Sequence, residues 1–188
     1  MDHAARGGPP PTRSAPAPGS RVAGTCVTTS AEGTRALGHA LGAAARPGTL
    51  VALTGPLGAG KTVFTKGIAG GLGVRSVVNS PTFVLMNEHP GRLRLFHVDA
   101  YRLDDPEEAL AAGLLDEREG EGVTVIEWAD RLDGWLPAER LDLVLDPDPD
   151  GGDRRTIRWS ASGVLHEPLA HALEVAARPA AGHVASDR

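Results

Sequence analysis

Residues 55–62 read Gly55-Pro56-Leu57-Gly58-Ala59-Gly60-Lys61-Thr62, an unbroken G-x-x-x-x-G-K-[ST] run. Few eight-residue stretches constrain a fold as tightly, because this one needs a buried strand before it and a helix after it. Both flanks comply: Leu50-Val51-Ala52-Leu53 is a continuous apolar run suited to a strand, and Val63 to Ala69 reads as a helix. In such a turn the glycines let successive N–H groups point inward at a polyanion, and the helix N-terminus adds partial positive charge. Gly55, Gly58, Ala59, Gly60, Lys61, Thr62 and Val63 are therefore expected to hold a nucleoside triphosphate. Lys61 would reach its β/γ-phosphates, and the Thr62 hydroxyl would ligate Mg²⁺. The competing reading is a glycine-rich turn of accidental likeness. The chain has only two lysines, Lys61 and Lys66, and residue frequencies give roughly 0.003 chance matches to the pattern. Accident loses by a wide margin.

With 188 residues and 41% apolar composition, the chain supports one domain with a sizeable core. We place that domain at residues 21–177, between a disordered proline-rich leader (1–20) and a disordered tail (178–188). The leader lacks the apolar centre of a secretory signal, and no stretch is long and apolar enough to span a bilayer. A single cysteine, Cys26, excludes an internal disulfide and a cysteine-built zinc site, which fits a cytoplasmic location. The net charge of −5 argues against a surface that grips nucleic acid unaided, since such binding comes mainly from neutralising phosphates. Any RNA involved would be held by a partner.

Along the chain, Val22 to Thr28 can form a first strand. Thr29-Ser30-Ala31-Glu32 then matches a capping box opening a helix that buries Leu37 and Leu41 and stops before Pro47. The strand at Thr49 to Thr54 leads into the glycine loop, and the following helix ends in Gly70, Gly71 and Gly73. Strands are expected at Thr82 to Glu88 and Arg92 to Val98, around a His89-Pro90-Gly91 turn. Asp104-Asp105-Pro106-Glu107-Glu108 looks like a helix start. Val123 to Ile126 suits a central parallel strand, Leu141 to Leu145 and Arg154 to Ser160 a hairpin, and Val164 to Ala177 a closing helix. The result is an α/β fold, a three-layer sandwich like that of P-loop NTPases, with a mostly parallel central sheet and an antiparallel portion.

Asp146-Pro147-Asp148-Pro149-Asp150-Gly151 imitates the opening of an EF-hand loop, but its twelfth position is Ile157 where a bidentate Glu belongs. An acidic hairpin turn is the better reading. The seven histidines are scattered without metal-ligand spacing.

Hydrolysis or transfer needs acids at the ends of neighbouring strands. Asp99 ends one predicted strand and Glu127 another, so either can ligate the metal, directly or through water, while the other positions the nucleophile. Each is equally readable as a solvent-facing strand end when taken alone. Ser80-Pro81-Thr82-Phe83 lies where a loop sensing the γ-phosphate would sit, or is simply a proline-marked strand start. Trp128 stacks near the nucleotide or fills the core. No [NT]-K-x-D sequence is present for guanine, so ATP is the expected nucleotide.

Taken in order, GPLGAGKT, SPTF, HVDAYRL followed by DPEE, and IEW resemble the bacterial TsaE family, from about Val22 to about Ser160. The resemblance implies a small ATPase acting in the synthesis of threonylcarbamoyladenosine, next to the anticodon of tRNA. It also implies TsaB and TsaD as protein partners, with tRNA engaged only through that complex. It carries phosphate contacts to Gly58 through Thr62, Mg²⁺ ligation to Thr62 and Glu127, an essential acid to Asp99, and a switch-like loop to Thr82. Tyr101, Arg102 and Trp128 match further motif positions. Phe83 stands where the family commonly has Tyr. Two rivals remain at this level. One is a small-molecule kinase with an arginine lid drawn from Arg102, Arg118 and Arg131; the other is a non-catalytic module fastened by ATP.

Overall fold

The computed structural model describes residues 21–81, 85–103 and 120–178. The predicted leader, all but the first residue of the predicted tail, Thr82, Phe83, Arg118 and the helix start at Asp104 lie outside the described residues. Within them the strands are β1 (Arg21–Thr28), β2 (Thr49–Thr54), β3 (Met86–His89), β4 (Leu95–Asp99), β5 (Val123–Glu127), β6 (Leu141–Pro147) and β7 (Arg155–Ser162). The helices are α1 (Ala31–Ala44), α2 (Lys61–Gly71) and α3 (Glu167–Ala177).

All the strands join one sheet in the order β1-β7-β6-β2-β5-β4-β3. β6, β2, β5 and β4 run parallel at its centre, while β1, β7 and β3 are attached through antiparallel ladders. The α/β class, the parallel centre and the antiparallel portion are as expected from sequence. β2 is central and apolar throughout because each of its faces meets a core. Val51 and Leu53 join the larger cluster, with Leu41, Phe64 and Ile68 of the helices, and Leu50 and Ala52 join the smaller one, with Val98 and Ile126. Residues of α1, α2 and α3 all belong to the larger cluster. On the opposite face the described covering is made by short 3₁₀ turns at Ala100–Arg102 and Ala129–Leu132.

Several boundaries shift for local reasons. The cap of α1 is Ser30, whose side chain accepts from Gly33 N, so the helix starts one residue later than the Thr29 capping box implies. β3 and β4 are shorter than predicted, because the register Met86↔Val98 to His89↔Leu95 limits their ladder to four pairs. α3 starts at Glu167 because Gly163 turns the chain first, at φ 88°. α1 and α2 cross closely enough that a Cβ at Gly38, Gly42, Gly67 or Gly71 would run into the backbone of the other helix. That close crossing fixes α2, and therefore the glycine loop at its start, against the sheet.

Candidate functional site

The glycine loop leaves the C-terminal end of β2 and becomes α2. Gly55 (φ 138°) and Gly60 (φ 101°) occupy conformations that L side chains rarely adopt, and a Cβ at Gly55 would strike the Leu145 carbonyl of β6. The first helical bond of α2 runs from Phe64 N to Gly60 O at 2.9 Å, so the N–H groups of Lys61, Thr62 and Val63 have no acceptor within the helix. These are the groups a helix N-terminus offers to an anion. A Cβ at Gly58 would meet nothing within 4 Å, so the turn is open there.

Lys61 is 5% exposed, and its Nζ donates to Gly55 O (2.6 Å) and Pro56 O (3.0 Å). It also lies 3.5 Å from the centroid of the Trp128 ring, within cation–π range. Burial pushes the ammonium's pKa down, against the pull of the Glu127, Asp99 and Asp130 carboxylates. Trp128 takes up this position with φ 59° and ψ 40°, the one non-glycine residue with positive φ among those described. A left-handed backbone is uncommon and costly for a bulky residue, and here it sits directly after the candidate acid Glu127. Tyr101 packs on the Trp128 ring at a centroid distance of 4.9 Å.

Two strands deliver the acids. In the parallel β4–β5 register Asp99 pairs with Glu127, and period-two alternation sends His97, Asp99 and Glu127 to the face covered by α2. Glu127, only 2% exposed, is held from three sides. Thr62 Oγ1 donates to its Oε2 at 2.8 Å, Thr65 Oγ1 lies 3.1 Å from its Oε1, and His97 Nε2 lies 2.8 Å from Oε1. With a carboxylate oxygen as its neighbour, His97 Nε2 is the donor of this pair, while its buried Nδ1 has no hydrogen-bond partner among the described residues. Asp99 is fixed differently: its Oδ1 accepts from Tyr101 N (3.0 Å), and Ser80 Oγ donates to its Oδ2. The serine of the SPTF segment thus contacts the second acid.

The structure therefore brings the glycine loop, Lys61, Thr62, Asp99, Glu127 and Trp128 to one end of β2, β4 and β5. Thr82 lies outside the described residues. Of the arginines considered for a lid, Arg131 is engaged locally, with Nη1 donating to Leu103 O at 3.4 Å and its guanidinium 5.4 Å from the Tyr101 ring. Sequence reasoning missed Thr65, His97 and Arg155. Thr65 could have been found as the residue one helical turn beyond Thr62, and His97 as the residue two before Asp99 on the same strand face. No local signal marks Arg155, whose guanidinium reaches the carbonyls of Gly58 and Ala59 from β7.

A strand, glycine loop and helix at the centre of a mixed sheet, with strand-end carboxylates beside the loop, define an α/β protein of the phosphate-loop class. The comparisons narrow this to a family. Residues 28–157 match the model described as "Threonylcarbamoyl adenosine biosynthesis protein TsaE", and the chain belongs to that family. It is 44% identical to the tRNA threonylcarbamoyladenosine biosynthesis protein TsaE of Bacillus subtilis over 147 residues, 78% of this chain and 90% of that one. It is 40% identical to the Treponema pallidum protein of the same name, over 70% of this chain and 98% of that one. The crystal structure of Bacillus subtilis YdiB superposes with a TM-score of 0.67 at 36% identity, covering 83% of this chain and 97% of that one.

Proposed function

We propose that the protein is a Mg²⁺-dependent ATPase serving the threonylcarbamoyladenosine modification of tRNA, with TsaB and TsaD as partners. The observation that carries this reading is the 2.8 Å bond between Thr62 of the glycine loop and the buried Glu127 carboxylate. It joins a hydroxyl and a carboxylate oxygen, the hard donor set that Mg²⁺ prefers. The residues present fit ATP as well, since glycines at φ values that L side chains rarely adopt and the N-terminus of α2 offer backbone N–H groups to an anion.

In this reading Gly55, Gly58 through Thr62 and Val63 hold the phosphates, and Lys61 turns from the loop carbonyls towards them. Thr62 and Glu127 hold the metal, which when bound neutralises developing phosphate charge. His97 and Thr65 keep Glu127 oriented. Asp99, at the same register and steadied by Ser80, is placed to orient a water. Arrangement of the Ser80–Asp99 contact links the SPTF segment to the acid, which supports a nucleotide-sensitive loop that includes Thr82. No helix among the described residues is long and apolar enough to cross a membrane.

The test is phosphate release from ATP and Mg²⁺, with and without TsaB and TsaD. We expect slow release alone and acceleration by the assembled partners. A small-molecule kinase would release little phosphate without its acceptor and would ignore the partners. Absence of acceleration with correctly assembled partners refutes the proposal, and recovery of intact ATP after single-turnover incubation identifies a binding module instead.

A further inference from the structure

We propose that Arg155 is a positioning residue that holds the phosphate loop in its anion-binding shape from outside the site. Its role rests on the reading of the loop as a nucleotide cradle. The side chain comes from the start of β7, 96 residues from the loop in sequence, and donates through Nε to Ala59 O at 3.1 Å and through Nη2 to Gly58 O at 3.2 Å. These bonds fix two consecutive peptide planes. In a trans peptide the carbonyl and the following N–H point in opposite directions, and no described peptide is cis. Anchoring the Gly58 and Ala59 carbonyls outward therefore turns the N–H groups of Ala59 and Gly60 inward. The Ala59 N–H does point into the loop, where it meets Pro56 O at 3.2 Å.

The guanidinium is itself locked. Its Nη1 donates to Gly152 O (2.7 Å) and Arg154 O (2.8 Å), so the hairpin turn between β6 and β7 grips the opposite side of the fork. This gives the acidic EF-hand imitation a purpose unrelated to metal. Asp148 organises the turn: its N–H bonds Arg154 O at 3.1 Å, its carbonyl accepts from Gly151 N at 3.0 Å and its Oδ1 accepts from Asp150 N at 3.1 Å. The neighbouring arginines pair with acids, Arg158 with Asp146 and Arg154 with Asp148, whereas Arg155 has no carboxylate within ion-pair distance among the described residues. Its positive charge is left facing the back of the loop, where it favours a polyanion within. A rigid planar fork is needed to reach carbonyls in two directions at once, which a lysine ammonium on a flexible stem does less well.

The experiment compares Arg155→Met, Arg155→Lys and Arg155→Ala with the wild-type chain. Amide hydrogen exchange is read in nucleotide-free protein, and ADP with Mg²⁺ is titrated by calorimetry. We expect faster exchange at Ala59, whose N–H is bonded to Pro56 O, in Arg155→Met and a dissociation constant raised roughly tenfold, the scale of losing one charge-assisted hydrogen bond's net contribution. Arg155→Lys should be intermediate and carries the test if Arg155→Met does not fold. Added guanidinium at non-denaturing concentration should tighten ADP binding to Arg155→Ala. Unchanged exchange and affinity in folded variants overturn the proposal, as does exchange that quickens evenly over the whole chain with no change in affinity. If wild type binds no adenine nucleotide yet the Ala59 amide quickens in the variants, the clamp stands and the ATPase reading falls.

Discussion

Replacing Glu127 separates the hydrogen bonding seen at its carboxylate from the metal ligation proposed for it. In Glu127→Ala the His97 Nε2–H, fully buried, loses its acceptor. A buried donor left without a partner costs about 1–3 kcal/mol. Thr65 retains Lys61 O at 3.0 Å, and half-buried Thr62 can turn to solvent, so neither hydroxyl adds a comparable penalty. Lost packing adds about 1 kcal/mol, giving a total of about 2–4 kcal/mol, below the ~5–15 kcal/mol typical of a domain. The variant should therefore fold, with a melting temperature lower by roughly 4–16 °C for a chain of this size. Glu127→Gln is different. Its amide oxygen can take the Oε1 place facing His97 and Thr65, while its NH₂ faces a Thr62 hydroxyl rotated to accept, so stability should stay within about 1 kcal/mol of wild type. What it lacks is the anionic ligand. Thermal unfolding of both variants, with ADP titrations in Mg²⁺ and in EDTA, should show Glu127→Gln stable yet with little remaining Mg²⁺ enhancement of affinity. If Glu127→Gln melts as low as Glu127→Ala, the hydrogen-bond account is wrong. If it keeps full Mg²⁺ dependence, Glu127 is not a metal ligand.

Three further outcomes are expected. Lys61→Ala removes the ammonium from the loop and should weaken ATP binding by about tenfold or more, read by calorimetry; unchanged affinity contradicts the phosphate role. Gly67→Ala puts a methyl into the Arg35 carbonyl of α1 and should cost about 1–3 kcal/mol in thermal unfolding despite alanine's better helix propensity; a higher melting temperature would show that the helices part without cost. His166 accepts from Leu50 N through Nε2 (3.1 Å) and, through Nδ1, lies 3.1 Å from Ser162 O, an arrangement that needs the neutral ring. Burial lowers its pKa, with the Ser162 carbonyl and then Glu139 and Asp142 opposing. Between that lowered value and the ordinary value near 6.5 the unfolded chain binds the extra proton, so this contribution is complete above about pH 6.5 and shrinks as pH falls through the window. His89, lowered mainly by burial, acts with the same sign. Unfolding measured across that range should show a shallower acid loss in His166→Gln than in wild type; equal slopes would remove His166 from the account.

What could be read from residues alone is what contiguous residues encode. The strand, glycine loop and helix at Thr49 to Gly71 are legible because the loop's backbone geometry needs glycines at fixed spacing, and because β2 must be apolar on both sides. The strand-terminal positions of Asp99 and Glu127 follow from the same local pattern. Pairing was beyond reach. That Asp99 lies beside Glu127 depends on which strands are neighbours, and the order β2-β5-β4 is set by burial of whole faces rather than by any short segment. The three donors around Glu127 come from 30, 62 and 65 residues away, and Arg155 reaches the phosphate loop from 96. Sequence thus determined the cradle, since a turn's dihedral requirements are carried by its own residues. Tertiary structure alone decided what steadies the cradle and its acids, since hydrogen bonds between distant segments exist only after the sheet has aligned them.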